Sequence, residues 1–218
     1  MGEIVKGKRS EQARATRRRI INGARELFLR QGYAATTLDQ IAAQAGVAVQ
    51  TVYFHFGNKR TVVKEIMDVL AVGDDEDVPL LARPWVEQIR DEPDGRRALV
   101  IYMRHSRDIF ARIAPMMAIV RAAAGADPDM ADQWQTNLQQ TLTAQRAVAE
   151  GFAAKKALRP GLSARKAGDI IFALVSLDTY LRLTAECGWT PAQWQRWTTA
   201  TLADAILLDD RATTDHSA

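Results

Sequence analysis

Residues 27–59 read LFLRQGYAATTLDQIAAQAGVAVQTVYFHFGNK, and the glycines divide the stretch into pieces of helical length. Thr37 stands where an N-cap belongs, directly ahead of Leu38, Ile41, Ala42 and Ala45. Those four repeat at i, i+3, i+4 and i+7, one face of a short helix. Gly46 breaks that helix, and a second is predicted over Ala48–Phe54, anchored by Val52 and Phe56 and closed by Gly57. Short helix, glycine turn and short helix make the layout of a helix-turn-helix, whose second helix enters the DNA major groove. Outside its two anchors that second helix carries Val49, Gln50, Thr51, Tyr53, Phe54 and His55. Such a mixture of polar and aromatic groups is unusual on a helix that faces only solvent.

Upstream, Ile20, Ala24, Leu27 and Phe28 form a helical stripe with Arg14, Arg17, Arg18 and Arg19 outside it. A helix is predicted from Gln12 to a C-terminal glycine at Gly32. Downstream, Asn58 caps a further helix whose buried face is Val63, Ile66, Met67 and Leu70. Four helices thus fill residues 12–71. Residues 1–11 lack periodicity and read as a flexible basic arm.

The formal charge of +3 is unevenly spread: residues 1–60 hold 11 Lys/Arg against 4 Asp/Glu, a local +7, and residues 61–218 carry −4. An excess of that size draws polyanions by counterion release, so nucleic acid or an anionic membrane surface is the natural partner of the first segment, and the helix-turn-helix selects double-stranded DNA. The lone Cys187 fits a reducing compartment. The start has no signal-peptide core, and no uncharged run reaches the roughly 18–20 residues of a membrane span. A soluble, cytoplasmic protein with no membrane association is expected.

Beyond residue 72, Gly73–Asp77 and prolines 79, 84 and 93 keep residues 73–95 from forming one long helix, with room for a single short helix at Trp85–Arg90. Helical patterns follow at about 95–111, 113–124, 128–154, 163–187 and 191–208, separated by Pro115, Gly125 with Pro128, Pro160-Gly161, and Gly188 with Pro191. No strand-like alternation is present, so the fold class is all-α. Residues 209–218 read as a flexible tail. The three histidines are scattered without metal-ligand spacing, and neither a phosphate-binding glycine loop nor a nucleophile elbow is found. Neither an enzyme, a metal site nor a cofactor is indicated.

Over about Ile20–Leu70 the sequence closely resembles the TetR family of transcriptional regulators, carried by GY, TT, IA, AGV, VY, HF and NK within the quoted stretch. The resemblance implies a three-helix DNA-binding domain over residues 12–57, a linking helix at 58–72, and a helical regulatory domain at 73–208 that binds an inducer and forms a homodimer. It implies that Thr37 bonds a phosphate, and that Ala48, Val49, Gln50 and Thr51 occupy the recognition positions. Tyr53, Phe54 and His55 would touch the DNA backbone, and Lys59 a phosphate. Ala48 departs from the serine or threonine frequent there, and Val49 and Phe54 replace residues that are often polar. Glutamine can pair bidentately with adenine, which marks Gln50 for base readout, and Val49 suits a thymine methyl.

Residues 170–177, IIFALVSL, are apolar nearly all round, so a helix there is buried on more than one side. The resemblance implies that the last two helices make a four-helix dimer interface, through Ile170, Ile171, Leu174, Leu177, Leu181, Trp194, Trp197, Leu202 and Ala205; a purely internal core is the other reading. Candidate ligand-lining residues are Tyr102, His105, Phe110, Met116, Met117, Trp134, Phe172 and Asp178, a set suited to an apolar or aromatic small molecule. The function expected is a repressor released from a palindromic operator by such an inducer. A DNA-binding regulator whose C-terminal domain binds a protein partner, or nothing, is the alternative.

Overall fold

The computed structural model of the chain describes the backbone of residues 2–73 and 83–208, with side chains from residue 11 onward. Among these residues the architecture is helical throughout, and the single extended pairing is an antiparallel bridge between Leu158 and Leu207. The helices are α1 Gly2–Gln31, α2 Leu38–Ala45, α3 Val49–Phe56, α4 Lys59–Val72, α5 Pro84–Asp91, α6 Gly95–Ala123, α7 Pro128–Ala154, α8 Ala164–Leu174, α9 Leu177–Leu181 and α10 Pro191–Ile206. They form two compact units, Met1–Asp74 with Pro115–Trp134, and Asp75–Ala114 with Gln135–Ala218.

In the first unit α1 packs on α2 and α4, and α2 on α3. Its core is the predicted stripe of Ile20, Ala24, Leu27 and Phe28 joined by Ile41, Ala42, Val52, Phe56, Val63 and Ile66, all at or below 5 % exposure. Val62 is buried alongside them, and Met67, expected on the buried face of α4, is only half-covered. A close approach between α1 and α2 needs glycine: a Cβ on Gly23 would stand 3.1 Å from Gln44 Cγ and 3.4 Å from the Ala45 nitrogen.

Several expectations about elements are corrected. The helix predicted from Gln12 begins at Gly2, so residues 2–11 of the arm expected over residues 1–11 are helical backbone. Glu3, Lys6, Lys8, Arg9 and Glu11 are good helix formers, and the stretch continues the longer helix without an apolar stripe of its own. Pro115 does not divide the chain into separate helices but lies inside α6, 29 residues long. One lost N–H is outweighed by the buried residues on either side, Ala114, Met116, Met117 and Val120. Pro115 is also where α6 passes from one unit to the other. The run expected as one helix over 163–187 is broken after α8. Val175 leaves helical geometry (φ −94°, ψ 64°), Ser176 caps α9 by accepting from the Thr179 N–H, and Arg182–Glu186 then forms a π-helical turn. The acidic stretch after Gly73 and the tail at 209–218 lie mostly or wholly outside the described residues.

The second unit is built on large rings. Phe110, Tyr180 and Trp194 pack with centroids 5.1–5.4 Å apart. Leu99, Met103, Phe152, Ile171 and Leu202 complete a core of nearly zero exposure. Gly168 lets α8 approach α7, since a Cβ there would stand 2.8 Å from Arg146 Cα.

Candidate nucleic-acid interface

α2 opens with a reciprocal cap. Thr37 Oγ1 accepts from the Gln40 N–H at 3.2 Å, and Gln40 Oε1 accepts from the Thr37 N–H at 3.0 Å. Gln31 donates to the same Gln40 oxygen at 2.9 Å, tying the end of α1 to the start of α2. Because the Thr37 hydroxyl acts as acceptor in the cap, its own hydrogen is left for an outside acceptor, and the residue is exposed. The Thr-x-x-Gln spacing is a legible signal for Gln40, a residue absent from the sequence-based candidates.

The turn into α3 depends on Gly46. Its φ of 64° is left-handed, its N–H bonds the carbonyls of Ala42 and Ala43, and the Val47 N–H reaches Ala42 O at 3.0 Å. This closes the last carbonyls of α2 and sets the direction of α3. Ala48 occupies the N-cap of α3 and supplies no side-chain bond. The first-turn N–H groups of α3 therefore lack the capping oxygen that a serine would provide, and helix N-termini favour anions. A cation sits close by: Arg19 Nη1 lies 3.9 Å from where a Cβ of Gly46 would stand.

α3 is held by two side chains and exposes the rest. Val52 is fully buried and Phe56 is 5 % exposed. Gln50, Tyr53 and Phe54 are exposed, Ala48 is exposed at the cap, and Val49, Thr51 and His55 are half-covered. The structure thus brings Thr37 and residues 48–55 together within the first unit, on helices joined by one tight turn.

Lys59 has partners that the expectation did not include. Its Nζ donates to Tyr33 O and to Thr36 O, both at 2.9 Å, and sits 4.0 Å from the centroid of the Tyr33 ring. Burial holds its pKa below the ordinary lysine value. Two of its three donors are committed to the loop that precedes Thr37, so the ammonium braces that loop and keeps one donor for an outside acceptor. Tyr33 beneath it is pushed up to about 12 by burial, then by Asp127 and Asp129, two carboxylates of residues 115–134. Asp129 also pairs with Arg60 at 3.4 Å. Arg17 is likewise engaged inside the unit, bonded to Glu65 and 5.9 Å from the Phe56 ring.

The ligand candidates are divided between the two units. Met116, Met117 and Trp134 belong to the first unit and the other five to the second. Tyr102 is buried with its hydroxyl bonded to Gln145, and burial pushes it up to about 12. His105 stacks on Trp85 at 4.9 Å, and Phe110 sits against Tyr180 and Trp194. Phe172 is half-covered and Asp178 exposed. A cavity of about 370 Å³ between Arg96, Arg159 and the end of α10 is lined by none of the eight. Trp85, Tyr180 and Gln145, partners of the predicted residues, were missed because nothing local in the sequence pairs them.

The dimer candidates divide by helical phase. Ile171, Leu177, Trp194 and Leu202 are at or below 5 % exposure inside the protomer, which removes them as contacts for a second copy. Ile170, Leu174, Leu181 and Ala205 are half-covered, and Trp197 is exposed.

Among the described residues, no helix is long and apolar enough to cross a membrane, and no cluster of His, Cys, Asp or Glu is arranged for a metal ion. The family described as "Bacterial regulatory proteins, tetR family" matches residues 20–66. The HTH-type transcriptional regulator TtgR of Pseudomonas putida is 30% identical over 169 residues, 76% of this chain and 79% of that protein. Among solved structures, NalD, the secondary repressor of the MexAB-OprM multidrug efflux pump in Pseudomonas aeruginosa, superposes with a TM-score of 0.69 at 22% identity, over 91% of this chain and 99% of its own. A SmeT–triclosan complex gives 0.68 at 19% identity, over 90% and 93%. These two share the fold.

Proposed function

The chain belongs to the TetR family of DNA-binding transcriptional regulators, and we propose that it acts as a repressor: a homodimer that holds a two-fold symmetric operator and leaves it when the second unit takes up a small, largely apolar molecule. The observation that carries the DNA-contact reading is the division of α3 into two buried anchors and a polar and aromatic outward strip beside the Thr37 cap. In this reading Thr37, the α3 N-terminus at Ala48 and the Tyr53 and His55 side chains meet phosphate, while Val49, Gln50 and Thr51 face base edges. Two copies of α3 would meet successive major grooves roughly 34–36 Å apart. Ile170, Leu174, Leu181, Trp197 and Ala205 supply the accessible apolar surface for pairing.

Two structural neighbours support repression and a ligand: NalD is named a repressor, and SmeT is solved with triclosan. The aromatic second core, with Phe110, Tyr180 and Trp194 in mutual contact, suits such chemistry. For release, the molecule must bind the DNA-incompetent arrangement more tightly, since equal affinity for both shifts nothing. The test is selection of duplexes from a random library with the full chain, followed by titration of triclosan into the recovered complex. An inverted repeat bound by two copies and freed by the compound is the expected result. A monomer bound to an asymmetric site would overturn the dimer, and a complex untouched by apolar aromatics the inducer class.

A further inference from the structure

We propose that Phe54 is a specificity-determining residue that reads thymine through its C5 methyl group, alongside Gln50. The proposal rests on the reading of α3 as the recognition helix and departs from the backbone contact that the family resemblance implies for this position.

Phe54 is 86 % exposed, far above the next exposed aromatic, Tyr53 at 52 %. Helical phase explains its orientation. At 100° per residue, position 54 lies 160° from both anchors, Val52 and Phe56, so its ring points straight away from the core. Tyr53 and His55 flank it, nearer the edges of the helix. Gln50, four residues earlier, shares the outermost ridge with Phe54, with Cβ atoms about 5–6 Å apart. If Gln50 reaches a base edge, Phe54 stands one or two base pairs further along the same groove and not over the phosphates.

The chemistry then selects the target. A phenyl ring has no donor for a phosphate oxygen and no partner for N7, O6, O4 or an exocyclic amine. The one apolar feature of the major-groove floor is the thymine methyl. The ring is not a loose appendage either: His55 meets it edge to face, 5.4 Å between centroids and 79° between planes. That contact restrains the ring on one side and leaves its outer face open for a methyl group.

Replacing thymine by deoxyuridine removes that methyl and nothing else, which gives the experiment. The duplex recovered by selection is remade with uracil at each thymine in turn, and binding is measured for the full-length wild type, Phe54→Ala and Phe54→Leu. Wild type should lose about fourfold at one or two thymines per half-site, the worth of one buried methyl. Phe54→Ala should bind the parent duplex several-fold more weakly and be indifferent to uracil at those same positions, and Phe54→Leu should keep some of the sensitivity. Thermal melts should coincide, because the ring is outside the core. A Phe54→Ala protein that retains every uracil effect, or a wild type with none, would overturn the proposal. Gln50→Ala separates the two levels: if it relaxes one base position while uracil effects survive in Phe54→Ala, only the thymine assignment fails. If neither variant changes preference across the library, the reading of α3 itself fails.

Discussion

α3 and α10 both carry aromatic residues among polar ones, and they place them in opposite ways. In α3 two rings that composition alone would bury, Tyr53 and Phe54, stand in solvent, and the helix is held by Val52 and Phe56. In α10 Trp194 is fully buried against Phe110 and Tyr180, and only Trp197, three residues on, reaches the surface at 39 %. An eight-residue helix needs only two anchors when caps and turns fix its ends, which leaves the remaining face for a partner. A sixteen-residue helix at the centre of an aromatic core has less freedom. Aromatic side chains are thus left outward in one unit and buried for stability in the other.

The sharpest way to break that contrast is to truncate both. Trp194→Ala should destabilise the protein by about 3–5 kcal/mol in a denaturant titration, the usual cost of a large core deletion. Tyr53→Ala and Phe54→Ala should each stay within about 0.5 kcal/mol. Trp194 Nε1 is buried with no hydrogen-bond acceptor among the described residues, which refines the expectation. Trp194→Phe keeps most of the packing and removes an unsatisfied N–H, so it should cost much less than alanine. Equal losses at positions 53 and 194 would mean that α3 belongs to a core.

Next in size comes DNA binding itself. Gln50→Ala should relax preference at one base pair by about 1–3 kcal/mol, read by competition between operator variants. Tyr53→Ala should weaken all duplexes alike. Binding by the wild type should fall steeply with salt, and a flat response would remove the phosphate contacts assigned to this surface.

What could be read from the sequence follows the range of the interaction. The Thr37 cap, the left-handed turn at Gly46, the Asn58 cap and the two α3 anchors are decided within four or five residues, and each lies where local chemistry puts it. The phase of α8 and α10 was not legible. Ile170 and Ile171 are adjacent and alike, and only the packing of a whole unit decides that the second faces inward. The continuity of α6 through Pro115 and the grouping of residues 115–134 with α1–α4 also depend on contacts distant in sequence. Lys59 shows the limit of transfer by motif. The residue type and position match the family, yet the carbonyls of Tyr33 and Thr36 claim two of its donors, and no pattern in the chain announces that.

That brace yields a smaller effect with a clean discriminator. Lys59→Met leaves two carbonyls without their charged donor, for a loss of about 1–2 kcal/mol in stability. Operator affinity should fall with it through the Thr37 loop, while the slope of affinity against salt stays as in wild type. Loss of a direct phosphate contact would instead lower the slope by about 0.9. A Lys59→Met protein of unchanged stability and reduced slope would return the residue to the phosphate.

The smallest effect belongs to His105, the second unit's counterpart of a charged group tied to a ring. Stacked on Trp85, its imidazole is held below the ordinary histidine value by burial first and by Arg104 next, with Asp108 opposing and Arg107 and Arg112 adding. The folded chain therefore resists taking up a proton that the unfolded chain accepts once pH drops through about 6.5. Stability should be lost from there down to the depressed folded value and remain lower by a constant amount below it. His105→Phe keeps a ring against Trp85 and has nothing to protonate. Unfolding measured at pH 7.5 and at pH 5 should show the wild type losing more than the variant. Parallel losses would mean that the imidazole is as freely titrated in the folded chain as in the unfolded one.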